Sequence, residues 1–131
     1  MSGYVLDASV AVTALTAPGT PAADLLSGGD AVFQVPSIFD AEVLSAVRGL
    51  VRGGKFDGAA AVELIPDLMV LPVDRWHMSP LLPRMWELRE NLTPYDAAYV
   101  ALAELTGAVL VTGDERITAS PGPRCDIQIL K

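Results

Sequence analysis

"YVLDASVAVTALT" occupies residues 4–16. Its first part, "YVLDA" (4–8), is short, apolar and partly β-branched, and reads as a buried strand. The remainder, "VAVTALT", reads as a helix, with Ser9 placed to cap it. A strand that feeds straight into a helix is the opening of an α/β fold. Asp7 falls inside the apolar part. A buried carboxylate is costly unless it is paired, and no Lys or Arg stands near it in sequence. Its partner must come from elsewhere in the chain.

The same alternation continues outward. "PGTP" ends the first helix, and Thr20 before Pro21 opens a second, "AADLLS", which stops at Gly28 and Gly29. "AVFQV" (31–35) reads as a second strand. Ser37 and Asp40 have the spacing of a capping box, and a long helix follows through "FDAEVLSAVRGLVRGG". Another helix fits 57–68, and "MVLPV" (69–73) a third strand. "SPLLPRMWELREN" (79–91) reads as a helix capped by Ser79. "TPYDAAYVALAE" (93–104) reads as a helix sealed inside the domain and ending at Gly107. "AVLVT" (108–112) and "DIQIL" (126–130) complete a set of five strands. Strands alternating with helices predict a parallel sheet covered on both faces, and 131 residues suit one domain spanning 1–131.

The formal net charge is −7, which excludes a protein that coats nucleic acid by bulk attraction but not an enzyme whose acidic site takes up metal. Cys125 is the only cysteine, so no internal disulfide is expected, in keeping with a reducing cytoplasm. No apolar run approaches the ~20 residues of a membrane span. His77 and Cys125 are each solitary, which argues against zinc and against Ser–His–Asp or Cys–His catalysis.

Ligands of open α/β sheets sit at the carboxyl ends of the strands. Asp7 lies at the end of the first strand, and Asp114 just beyond the fourth. Glu42 and Asp96 lie in the first turns of helices that begin on that same side. Each has an ordinary reading: Asp96 as a helix N-terminal acid worth ~0.3–1 kcal/mol, Glu42 as a solvated helix residue, Asp114 as a turn acid. Together they would repel and raise one another's pKa. A hard divalent cation resolves that conflict, and it can also activate a water and neutralise a phosphate.

"LDASV" (6–10), "AEVLSAVRGLVRGG" (41–54), "TPYDAAYVALAE" (93–104) and "LVTGDERI" (110–117) resemble, in order and over nearly the full chain, the PIN-domain ribonucleases, specifically the VapC-type toxins of bacterial toxin–antitoxin pairs. The resemblance implies a three-layer α/β/α sandwich around a five-stranded parallel sheet, and Mg2+- or Mn2+-dependent endoribonuclease activity. It implies a homodimer, and inhibition by a cognate VapB antitoxin whose tail fills the acidic groove. Asp7, Glu42, Asp96 and Asp114 match the family's metal-binding and catalytic acids, with Glu42 either a direct ligand or one acting through water. Ser9 and Thr112 match polar positions that support them. Arg89 and Arg116 are candidates to hold flanking phosphates, with solvated surface arginines as the ordinary alternative. Glu115, next to Asp114, is left outside the core set.

Two rivals stand beside this reading. A phosphoacceptor receiver domain would need an early pair of acids and a Lys after the fifth strand, whereas Asp7 has no acidic neighbour and the only late Lys is Lys131. A non-catalytic PIN-like binding module would carry degenerate acids, whereas all four are present.

Overall fold

The computed structural model describes residues 3–131. Its centre is a five-stranded parallel sheet of β1 (Gly3–Leu6), β2 (Val32–Pro36), β3 (Val73–Trp76), β4 (Val109–Thr112) and β5 (Ile127–Ile129), in the order β3-β2-β1-β4-β5. The expected α/β/α architecture is present. The order also parts from the receiver type of fold, which runs 2-1-3-4-5.

Seven α-helices are present among the described residues. Helix α1 (Ala8–Thr16) packs against α2 (Pro21–Ser27), α3 (Phe39–Arg52) and α4 (Gly58–Met69). Helix α5 (Leu82–Glu87) packs on α6 (Pro94–Thr106), and α6 lies across β1, β2 and β4. The short α7 (Glu115–Ala119) follows β4. Every residue of α6 from Ala97 to Leu102 and Ala103 is buried, as are Val5, Leu6, Leu110 and Val111 of the two central strands. The run of small side chains in α6 explains how a helix apolar on all sides seats this closely on a sheet. Thr93 caps it by accepting the Asp96 N–H, Pro94 opens it, and Gly107 closes it in the left-handed region at φ 69°.

Several local expectations are overturned. Ser9 lies within α1, and the N-cap position belongs to Asp7. The Ser37 capping box does not form: α3 starts after Ile38, and Asp40 instead receives a two-pronged bond from Arg75, at 2.7 and 2.9 Å. The third strand begins where it was expected to end. Met69 closes α4, and β3 pairs with β2 through Val73 to Trp76. This is an edge strand, so its "VDRW" carries polar residues that conceal it from an apolar-run reading. The expected helix over 79–91 divides into a 3₁₀ turn (Ser79–Leu81) and α5. Pro83 has no N–H to continue the helical ladder back to Ser79. Helix α7 had no counterpart in the sequence reading, and it places Asp114 at its N-cap.

Two glycine substitutions are expected to act in opposite directions. Gly107→Ala keeps its space but must hold a left-handed backbone, at a cost of about 1–2 kcal/mol. Gly49→Ala, inside α3 with open space around it, gains about 0.5–1 kcal/mol. Calorimetric midpoints that move down for the first and up for the second check both.

Candidate active site

Strand β1 lies at the point where the sheet order reverses, with β2 and β3 to one side and β4 and β5 to the other. The carboxyl ends of β1 and β4 meet at that reversal, the position where such sheets bind ligands. Asp7 is the first residue past β1, tied by its N–H to the Val111 carbonyl of β4 at 3.0 Å. Its side chain is nearly covered, at 9 % exposure.

The sequence left open what offsets this buried carboxylate, and the structure supplies two hydroxyls. Ser9 Oγ donates to Asp7 Oδ2 at 2.8 Å, and Thr112 Oγ1 donates to the same oxygen at 2.6 Å. Each hydroxyl is fixed in turn by a backbone N–H. Gly113 donates to Ser9 Oγ at 3.1 Å, and Asp114 donates to Thr112 Oγ1 at 3.1 Å. A hydroxyl has one proton to give, and with its lone pair engaged by an amide that proton is aimed at Asp7. The loop after β4 thereby orients a carboxylate of β1 through two side chains.

The other acids surround this centre. Asp96, in the first turn of α6, has a carboxyl group raised above its ordinary value by burial, then by the charges of Asp7 and Asp114, against the opposing pull of Thr93 and Arg116. Glu42, in the first turn of α3, is raised by burial and by the charges of Asp7 and Asp96. Its hydrogen bond from Tyr99 works the other way. Asp7 and Asp96 therefore form the middle of the acidic group, with Glu42 and Asp114 on its flanks. Asp114 shifts downward, because Arg116 grips it with Nε and Nη2 at 3.0 and 2.8 Å and adds its backbone N–H at 2.9 Å.

Tyr99 is the residue that sequence reasoning missed. Its buried hydroxyl donates to Glu42 Oε1 at 2.6 Å, linking α6 to α3, and burial followed by that bond holds its proton firmly in place. The signal was there: Tyr99 stands three residues after Asp96, the spacing that puts two side chains on one helix face. The two candidate arginines part company. Arg116 is committed to Asp114, while Arg89 lies over the Trp86 ring at 4.5 Å and donates to the Trp86 carbonyl. Glu115 faces Lys131 at 3.1 Å, away from the core set. Cys125 is half-buried, and burial pushes its thiol up to about 11, so it stays protonated at neutral pH.

Oxygen donors alone make up this group, which is the preference of Mg2+ or Mn2+ rather than zinc. No Lys or Arg forms an ion pair with Asp7, Glu42 or Asp96 among the described residues. The donor type and the unbalanced charge fit a hard divalent cation. In this arrangement, however, no three His, Cys, Asp or Glu side chains among the described residues are turned toward one ion. Ser9, Thr112, Tyr99 and Arg116 hold the individual carboxylates instead.

Residues 4–121 match the PIN domain family. Ribonuclease VapC1 of Mycobacterium tuberculosis is 37 % identical over 134 aligned residues that span the whole of both chains. The chain belongs to the PIN-domain family of VapC ribonucleases. Among solved structures, PAE2754 from Pyrobaculum aerophilum superposes with a TM-score of 0.70 at 26 % identity, covering 96 % of this chain and 83 % of that one. VapBC2 from Rickettsia felis, solved bound to a promoter DNA fragment, gives 0.72 at 16 % identity over 98 % and 99 % of the two chains, a likeness of fold. In this PIN domain the four acidic blocks thus sit on the family's own scaffold.

Two substitutions probe the electrostatics. Thr112→Val removes a donor to Asp7 and an acceptor for the Asp114 N–H, and is expected to cost about 1–3 kcal/mol in urea unfolding, with Thr112→Ser recovering most of it. Glu42 titrates higher in the folded protein than its ordinary 4.5. Folded protein then holds the extra proton in the window above that value, so stability falls as pH rises through it. Glu42→Gln keeps an acceptor for Tyr99 and is expected to stabilise the metal-free protein at pH 7 by up to about 1 kcal/mol. The advantage vanishes below the ordinary carboxyl value, as thermal melts across pH will show.

Proposed function

We propose that this chain is the toxin of a type II toxin–antitoxin pair, an endoribonuclease that hydrolyses RNA phosphodiester bonds with a divalent cation. The observation that carries the reading is the Asp7 carboxylate, held by Ser9 and Thr112 close enough to Asp96 for each charge to act on the other. The VapC ribonucleases to which the chain is 37 % identical lend it their chemistry.

Asp7, Asp96 and Asp114 are the residues that would hold Mg2+ or Mn2+, with Glu42 completing the pocket. Such an ion supplies charge neutralisation at a phosphate and a more acidic water. The protein's own contribution is positioning. Ser9 and Thr112 keep Asp7 oriented, and Tyr99 fixes Glu42 so that its second oxygen is free to orient or deprotonate a water. Arg116, which neutralises Asp114 here, is suited to a flanking phosphate once the carboxylate turns to a cation. Arg89 is the second arginine proposed for substrate.

The reading extends to partners and place. A VapB-type antitoxin with a basic tail suits a chain of net charge −7 and an acidic crevice. A homodimer and a cytoplasmic setting follow the family. Among the described residues no helix is long and apolar enough to cross a membrane.

The test is incubation of antitoxin-free protein with total cellular RNA in Mg2+ or Mn2+, alongside chelator. Defined fragments bearing 5′-phosphates are expected from the parent and none with chelator. Asp7→Asn and Asp96→Asn are expected to lower the rate at least about 100-fold. Variants that cut as fast as the parent would remove these acids from the reaction.

A further inference from the structure

Among the described residues, only one of the side chains that restrain the acidic group is a cation. Ser9 and Thr112 give neutral hydroxyl protons to Asp7, and Tyr99 gives one to Glu42. Asp114 is held by a full positive charge from its own segment of chain. The Arg116 backbone N–H and Nε both donate to Asp114 Oδ1, at 2.9 and 3.0 Å, and Nη2 donates to Oδ2 at 2.8 Å. An ionised carboxylate offers about four acceptor positions, and here one residue takes three of them. The Arg116 charge also acts on Asp96, in the middle of the group.

A guanidinium and a hard divalent cation compete for the same oxygens. The cation takes charged carboxylate oxygens directly, and the guanidinium forks onto the same pair. While both oxygens of Asp114 face Arg116, that carboxylate is turned away from an ion at Asp7 and Asp96. The grip is therefore one reason why no three acids among the described residues are turned toward a single ion.

The contact can open without any change of backbone. Gly113 and Asp114 are tied by their N–H groups to Ser9 and Thr112, and Ile117 anchors α7 in the core. The Arg116 side chain, by contrast, is 87 % exposed. An ion pair with one partner this open to water is weak, so it yields to a stronger competitor. When the guanidinium swings out, the Arg116 N–H still holds Oδ1 and keeps Asp114 at its post.

We propose that Arg116 is a latch on Asp114, which competes with the divalent cation for that carboxylate and turns to RNA phosphate when the cation takes it, an inference that rests on the ribonuclease reading above. Cation and substrate then reinforce each other. Cation binding frees the guanidinium that meets a phosphate, and a phosphate that holds the guanidinium leaves Asp114 open to the cation. By linkage the two effects are equal in size. Without RNA, the chain holds its cation less tightly than its acids alone would allow.

The test uses the metal by itself. Full-length protein is titrated with Mn2+ in RNA-free buffer, and free Mn2+ is counted by electron paramagnetic resonance. Arg116→Ala is expected to bind Mn2+ roughly 2- to 5-fold more tightly than the parent, the range that an exposed ion pair allows. Arg116→Lys, which keeps the charge but not the fork, falls between the two. Asp114→Asn keeps an acceptor for the helix cap and binds Mn2+ more weakly, and in that background Arg116→Ala gains nothing. The nuclear magnetic resonance signal of the Arg116 Nε–H group moves to the position of a free guanidinium when Mg2+ is added. In cleavage assays Arg116→Ala reaches its half-maximal rate at lower Mg2+ and yet raises KM for RNA.

Arg116 variants that match the parent in Mn2+ affinity, or a gain that persists in full beside Asp114→Asn, overturn the latch and leave the ribonuclease reading standing. Mn2+ affinity that follows Arg116 and Asp114 as expected, in a parent that cuts no RNA, does the reverse. A parent that takes up no Mn2+ overturns both.

Discussion

The placement of one buried carboxylate governs this molecule. Asp7 leaves the central strand of the sheet at the point where strand order reverses, and it is nearly sealed from water. An isolated carboxylate there would be untenable. Two hydroxyl donors make it tenable, and one of them, Thr112, belongs to the neighbouring strand. The β1–β4 pairing is therefore more than a backbone ladder. Its register sets Leu6 opposite Val111, which places Asp7 against Thr112. A slip of one residue would turn the hydroxyl to the other face of the sheet.

The second constraint is repulsion. Burial and neighbouring charge push Glu42 and Asp96 in the same direction, upward. Both would be easier to accommodate as amides, and their presence as acids in helix first turns is a stability cost of the kind that collects at functional sites. The protein restrains each member with a dedicated neighbour: Tyr99 for Glu42, Arg116 for Asp114, Thr93 for Asp96. Only at Asp114 is that neighbour a full charge, and only there does the carboxyl group shift downward.

Much of this was legible in the chain. Alternating apolar runs and capped helices announced a parallel α/β sheet, and Asp7 stood out because it lay in an apolar run without a nearby cation. What escaped reading had local physical causes. "VDRW" is polar because it forms an edge, so its strand was sought one segment too early. Ser9 looks like a helix cap, yet it lies inside α1 and gives its proton to Asp7. Side-chain commitments such as Arg75 to Asp40 or Arg116 to Asp114 depend on folded distances that no spacing rule supplies for the first and that compete with solvent for the second. Tyr99 is the instructive middle case. Helical periodicity put it beside Asp96, but its partner Glu42 is fifty-seven positions away.

Helix α6 carries one further implication. Its first turn holds Asp96, its second turn Tyr99, and its last turn Glu104, which Arg84 grips at 2.7 Å and the Arg124 N–H meets at 2.8 Å. Glu104 is drawn upward by burial, but these partners outweigh that and leave it below its ordinary value. The helix is thus pinned at its far end while presenting two groups to the crevice at its near end, like a measuring rod clamped in a vice. Adding or deleting one residue between those ends would rotate the near end by about 100° and shift it about 1.5 Å along the axis. Asp96 and Tyr99 would leave the crevice together. The length of that single rod is thus set by what it holds at its two ends.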